Sequence, residues 1–378
     1  MASSESLVIV IFFILQYFIG TTGPLFFCEA VAITMAPPPP ENGTVGRSRG
    51  TSSAVFVFGD STLDTGNNDH IVTLSKSNFP PYGRDFPGRI PTGRFSDGRL
   101  ISDFIVDSLR IKYLLPPYLN PNLQVEDLIT GVCFASAGSG YDPKTPKILS
   151  AISIPNQLSF FQQYAGKLRS LVGEQRSNDV VRNGLYVISA GNNDILLTSL
   201  FHTRTMSSEE MASYAAFLAG QASAFLRQLY GLGARKIVHL SASTTGCIPA
   251  IRTLLGGVQR QCSDESNELA VMFNEKLSDE IQRLNDDVLL PHLSIEFADV
   301  YTPLFDIIRR PENYGFAVTK EGCCGTGTIE FGFLCNRLSP STCADTSKYI
   351  FWDSLHPTEK VYKILTSVIM KDINRLLY

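Results

Sequence analysis

Short apolar runs of strand-forming residues, each followed by a longer stretch with helical periodicity, recur along this chain and restrict its fold more than any other feature. Val55 to Phe58, Leu185 to Ser189, Lys236 to Leu240 and Ser294 to Ala298 read as strands. Leu100 to Leu109, Ile154 to Val172, Ser208 to Tyr230, Asp264 to Asn285 and Thr358 to Leu376 place apolar residues three and four apart, as in Leu158, Phe161, Ala165, Leu168 and Val172. Strand then helix, four or five times over, predicts an α/β fold: one parallel sheet covered on both faces in a single three-layer domain. With 378 residues, of which 44% are apolar, the chain is long enough to fill such a core, and no internal repeat divides it.

The first 53 residues do not fit that pattern. Leu7 to Ile19 is an apolar run too short to cross a bilayer, and Ala30-Val31-Ala32 supplies a small-x-small cleavage pattern, so residues 1–32 read as a signal peptide. The segment before Leu7 contains Glu5 and no Lys or Arg, which leaves an uncleaved membrane anchor as the alternative. Residues 33–53, with Pro37 to Pro40 and a Gly/Ser/Arg-rich stretch, cannot bury a core and read as a flexible linker, with the folded domain at 54–378. Within the linker, Asn42-Gly43-Thr44 is a glycosylation acceptor.

Cysteine placement points to the same oxidising compartment. Cys28 leaves with the signal, and six of the other seven lie beyond residue 240: Cys247, Cys262, Cys323, Cys324, Cys335 and Cys343. No C-x-x-C pair or His-rich spacing suggests a metal, so disulfides are expected, Cys247 with Cys262 clipping one loop and the four later cysteines stapling another. Cys133, in an apolar segment, reads as a buried free thiol. The 32 basic and 36 acidic residues give a net charge of -4 with no basic run, so nothing recommends a nucleic acid or an anionic membrane surface as partner.

Four loops hang from strand ends or lie beside them: Gly59-Asp60-Ser61, Ala137-Gly138-Ser139, Gly191-Asn192-Asn193-Asp194 and Asp353-Ser354-Leu355-His356. Acyl transfer to a serine needs a base for the hydroxyl proton, a carboxylate to fix the imidazole, and donors for the oxyanion. Of the five histidines, His239 sits inside a strand and His292 just before one. His70 and His202 have no carboxylate at a useful offset, whereas His356 has Asp353 three residues before it. Asp60, Asp64 and Asp194 read as caps of turns or helix starts.

In order, the chain presents Phe58-Gly59-Asp60-Ser61 with Asp64-Thr65-Gly66-Asn67-Asn68, then Gly93-Arg94-Phe95-Ser96, Phe134 to Gly140, Gly191 to Asp194, Cys323-Cys324-Gly325, and Phe351 to Thr358. With these blocks it resembles the SGNH, or GDSL, hydrolases, specifically the secreted plant GDSL esterase/lipase group, from about residue 53 to the C-terminus. The resemblance implies a mainly parallel, flavodoxin-like sheet, no cofactor, an ester or lipid substrate, and a secreted serine esterase working through an acyl-enzyme. It assigns Ser61 as nucleophile, His356 as base and Asp353 as its carboxylate. The oxyanion hole would combine the N–H groups of Ser61 and Gly138 with the Asn193 amide, while Asn192 shapes the turn. No GxSxG elbow is present, which argues against the α/β-hydrolase type. Cys133 stands where relatives usually carry Asn, so altered hydrogen bonding is expected there. The alternatives are an acyltransferase using an alcohol acceptor and a non-catalytic secreted binding protein. No stable membrane insertion is expected once the signal is gone, and a monomer is the default.

Overall fold

The four runs form a parallel sheet: Val55–Gly59 and Leu185–Ser189 are buried along their whole length, 236–240 is buried beyond Lys236, and the edge run 294–298 buries Ile295 and Ala298 while Ser294 is exposed. The computed structural model describes residues 52–202, 205–339 and 341–378; the expected signal peptide, all but the end of the linker, and Asn42 lie outside the described residues. In chain order the strands are β1 (Val55–Gly59), β2 (Leu185–Ser189), β3 (Lys236–Leu240) and β4 (Ser294–Ala298), paired in that order and all parallel. An extended segment at 130–136 lies along the free side of β1. Val57 N–H donates to Val132 O (3.3 Å), Phe134 N–H to Val57 O (2.7 Å) and Ser136 N–H to Gly59 O (2.9 Å). Counting that segment second in chain order gives the flavodoxin-like order 2-1-3-4-5.

Alternate strand residues divide the core into two layers. Phe56, Phe58, Tyr186, Ile188 and Ile237 face the helices Ile154–Val172, Glu174–Asn183, Ser208–Gly231 and Asp264–Asn285. Val55, Val57, Val187, Val238 and Leu240 face Ile101–Ser108, Pro249–Leu255, Tyr301–Arg309 and Glu359–Leu377. The sequence marks helix starts plainly where a cap is present. Ser207 and Glu210 form a reciprocal capping box, Glu210 N–H donating to Ser207 Oγ (3.2 Å) and Ser207 N–H to Glu210 Oε2 (2.7 Å). The helices 174–183, 249–255 and 301–309 have no counterpart in the sequence reading. They are short, and the first buries only Ser177, Val180 and Val181, too few for a visible stripe.

Beyond the sheet, the cysteine-rich stretch adds a two-stranded parallel pair, β5 (Val318–Gly322) with β6 (Tyr349–Phe351). Disulfides join Cys247 to Cys262, Cys323 to Cys343 and Cys324 to Cys335, and Cys133 is free and buried. The bridges close loops of 15, 20 and 11 residues. Replacing Cys324 and Cys335 together by serine should therefore cost about 2–4 kcal/mol in denaturant unfolding. Alkylation of the denatured, unreduced domain should label Cys133 and none of the six, whereas label on all six would show that no bridge forms. Among the described residues no helix is long and apolar enough to cross a membrane.

Candidate active site

β1 ends at a glycine because nothing larger fits: Gly59 has φ 129°, and a Cβ there would run into the Ser189 carbonyl of β2. Gln157 grips the same residue from its helix, accepting Gly59 N–H at Oε1 (2.8 Å) and donating from Nε2 to Gly59 O (2.9 Å). Asp60 N–H donates to Ser189 O (2.9 Å), and the chain turns to present Ser61 beyond the carboxyl end of the sheet. The Asp60 carboxylate accepts Thr62 N–H (3.0 Å) and Asn192 Nδ2 (3.1 Å). Burial raises its pKa above the usual carboxylate range against those bonds.

From the other end of the chain, β6 leads into a tight turn in which Asp353 Oδ1 accepts Leu355 N–H (2.8 Å) and His356 N–H (2.7 Å). The turn places the imidazole against the same carboxylate, His356 Nδ1 lying 2.9 and 2.8 Å from Oδ1 and Oδ2. A carboxylate can only accept, so Nδ1 carries the proton and Nε2 is left to accept from Ser61 Oγ, 2.9 Å away. Asp353 is fully buried, while Ser61 and His356 keep 9% and 7% of their surface exposed, so the serine end of this relay is the end a ligand can reach. Phe95 packs on the imidazole with ring centroids 4.8 Å apart.

The remaining motif residues hold the loops around this relay. Asp64 accepts from Gly66 N–H (2.8 Å), Asn67 N–H (2.8 Å) and Ala137 N–H (2.9 Å). Asn67 donates to Cys133 O (2.9 Å) and Ala135 O (2.8 Å), and Asn68 to Ala137 O (2.9 Å). These bonds tie the 133–138 segment to the loop after Ser61. Buried Arg94 pairs with Asp103 through Nε (2.8 Å) and Nη2 (2.7 Å) and donates to Thr65 O (3.0 Å), fixing the long loop over the site. Asp194 accepts Tyr141 N–H (2.7 Å), Asp142 N–H (3.1 Å) and Thr145 Oγ1 (2.5 Å), and burial pushes its carboxyl up to about 7.

The three groups expected to form an oxyanion hole keep donors available. The N–H of Ser61 and the N–H of Gly138, which has φ 88°, donate to no group among the described residues. Asn193 lines the cavity at Ser61 and spends one amide hydrogen on Ser139 O (2.9 Å), leaving the second. Asn192 lines the same cavity and differs in its second bond: its Nδ2 donates to Asp60 Oδ2 (3.1 Å) and its Oδ1 also takes Ser243 N–H (2.9 Å).

Other sequence candidates stand apart. His239 is buried in β3 against the Tyr141 hydroxyl (2.6 Å), and burial lowers its pKa to about 4. The Cys133 thiol, pushed up to about 12 by burial, donates to Leu63 O (3.3 Å). Among the described residues no cluster of His, Cys, Asp or Glu is arranged to hold a metal ion.

Two residues enter the site that sequence reasoning does not find. The Tyr82 hydroxyl donates to Asp353 Oδ2 (2.6 Å) and accepts Gly332 N–H (2.8 Å), joining the carboxylate to the loop between Cys324 and Cys335. Nothing in Pro80-Pro81-Tyr82-Gly83 announces this. Gln157 does leave a signal, as a polar residue on the apolar stripe of its helix, four before Phe161 and fully buried.

A family profile described as GDSL-like lipase/acylhydrolase matches residues 55–369. Among curated proteins, one GDSL esterase/lipase of Arabidopsis thaliana is 49% identical over 320 residues, 85% of each chain. The Arabidopsis thaliana GDSL esterase/lipase EXL3 is 46% identical over 317 residues, 84% of this chain and 86% of its own. A third from the same plant is 47% identical over 327 residues, 86% of this chain and 92% of its own.

Proposed function

Because this chain belongs to the GDSL-like lipase/acylhydrolase family and is a carboxylic ester hydrolase, we propose that it cleaves its ester through an acyl-enzyme on Ser61. The observation that carries this reading is the relay itself, Ser61 Oγ at 2.9 Å from His356 Nε2 with Asp353 at 2.8 Å behind Nδ1. Ser61 Oγ bonds to the ester carbonyl carbon as its proton passes to Nε2, and Asp353 stabilises the imidazolium. The carbonyl π pair moves onto oxygen, which the N–H groups of Ser61 and Gly138 and the free Asn193 amide hydrogen receive. Collapse breaks the bond to the alcohol oxygen, which takes the proton from Nε2. Water then adds to the acyl-enzyme in the same way, giving a proton to Nε2. The bond to Oγ breaks, the proton returns to Ser61, and the carboxylic acid leaves. An organophosphonate should modify Ser61 stoichiometrically, as read by peptide mass spectrometry, and stoichiometric modification of a different serine would end the proposal.

Asn193 and Asn192 should separate cleanly. Losing a donor that acts chiefly in the transition state lowers kcat by about 10²–10³-fold with little change in KM. Asn193→Ala should show that loss and still accept the phosphonate, more slowly. Asn192→Ala frees Ser243 N–H and Asp60, so it should lower the unfolding midpoint while costing kcat less than about tenfold, as expected of a residue outside the oxyanion hole. Reversed effects in steady-state kinetics would move the oxyanion role to Asn192.

The three disulfides support secretion into an oxidising compartment, in keeping with a leader at 1–32 and a catalytic domain at 54–378.

A further inference from the structure

Resting on Ser61 as the nucleophile, we propose that the acyl half of the substrate is short, from acetyl to about butyryl, so that long-chain lipid esters are poor substrates. The cavity that contains Ser61, His356 and Asn193 has a volume of about 70 Å³. An apolar cavity of roughly 150 Å³ is filled by benzene, a six-carbon ligand, so the room beside Ser61 suits a group of about half that size. Its apolar wall is made by Leu196, Ile248, Val300, Leu304 and Leu355. These come from the helices 192–201 and 301–309, from the residues just before 249–255 and 301–309, and from the histidine turn, so no single loop movement opens it. Two larger cavities, of about 550 and 490 Å³, share no lining residue with this one and contain neither Ser61 nor His356.

The room beside Ser61 falls to the acyl half for a chemical reason. After the first step the alcohol must leave and water must reach the acyl carbon beside His356 Nε2, so the alcohol side opens outward. The acyl group stays bonded to Ser61 throughout and occupies the small cavity beside it.

The test compares two p-nitrophenyl phosphonates that differ only in the alkyl group on phosphorus, methyl or octyl. In each, Ser61 Oγ bonds to phosphorus, p-nitrophenolate leaves, and the hydroxyl proton passes to His356. Forcing extra methylenes into a packed site is unfavourable enough that the methyl reagent should modify Ser61 at least about tenfold faster. Leu304→Ala and Leu196→Ala, on different helices, should each raise the octyl-to-methyl rate ratio about tenfold by opening the wall. Equal or faster modification by the octyl reagent in the unaltered protein overturns the short-acyl assignment and leaves the role of Ser61 standing. So does an unchanged ratio in both variants. Failure of both reagents to modify Ser61 overturns the nucleophile and the assignment together.

Discussion

Ser61→Ala should lower kcat for a p-nitrophenyl ester by about 10⁴–10⁶-fold while leaving the unfolding midpoint nearly unchanged, since the nucleophile and its base act as one unit. Ser61 makes one side-chain bond in the relay, to His356 Nε2 at 2.9 Å, so removing its hydroxyl leaves the turn beyond Gly59 intact. His356→Ala should fall by a similar factor, and the double variant by scarcely more than either alone, because neither group works without the other. Single-turnover assays on purified, folded variants read this directly. Full activity in Ser61→Ala would remove the acyl-enzyme from consideration.

Asp353→Asn is expected to cost about 10⁴-fold in kcat, for a reason that concerns a hydrogen atom more than a charge. At present the carboxylate takes four donors: Leu355 N–H, His356 N–H, the Tyr82 hydroxyl and His356 Nδ1. An amide accepts at one atom only. If its oxygen stays with the two turn N–H groups, its NH₂ points at Tyr82 and Nδ1 and favours the tautomer with the proton on Nε2. His356 then donates toward Ser61 where it must accept. The variant should bind substrate with KM nearly unchanged, and a loss below about tenfold would show that the imidazole is oriented by other groups.

The contrast between these residues and Tyr82 shows what a sequence of this kind discloses. Strands 185–189, 236–240 and 294–298 can be bounded from the residues alone because each is built on strand-forming apolar residues and helical stripes separate them. The segment at 130–136 is harder to recognise, since its partners are β1 on one side and the proline-bearing stretch 116–118 on the other, and it begins beside Gly131, where a Cβ would strike the backbone of Val55. Ser61, Asp353 and His356 stand out through the order of short blocks, and the fold draws them within hydrogen-bond reach. Tyr82 and Gln157 act through partners 271 and 98 residues away, and no local pattern encodes such a meeting. The cavity wall is less visible still. Leu196, Ile248 and Leu304 look like ordinary core positions until three separate elements are brought side by side.

The distance along the chain between serine and histidine also has a meaning in time. Ser61 and His356 are 295 residues apart, so at about 5–20 residues per second the ribosome adds the imidazole about 15–60 s after the hydroxyl. Until then the emerging chain carries a nucleophile with no base, and β6 and the helix Glu359–Leu377, which seat His356, are still to be made. Tyr82 waits as long for the carboxylate it steadies. Chemistry is thus withheld from every incomplete chain, and a product cut short before residue 353 would contain the serine and nothing to activate it.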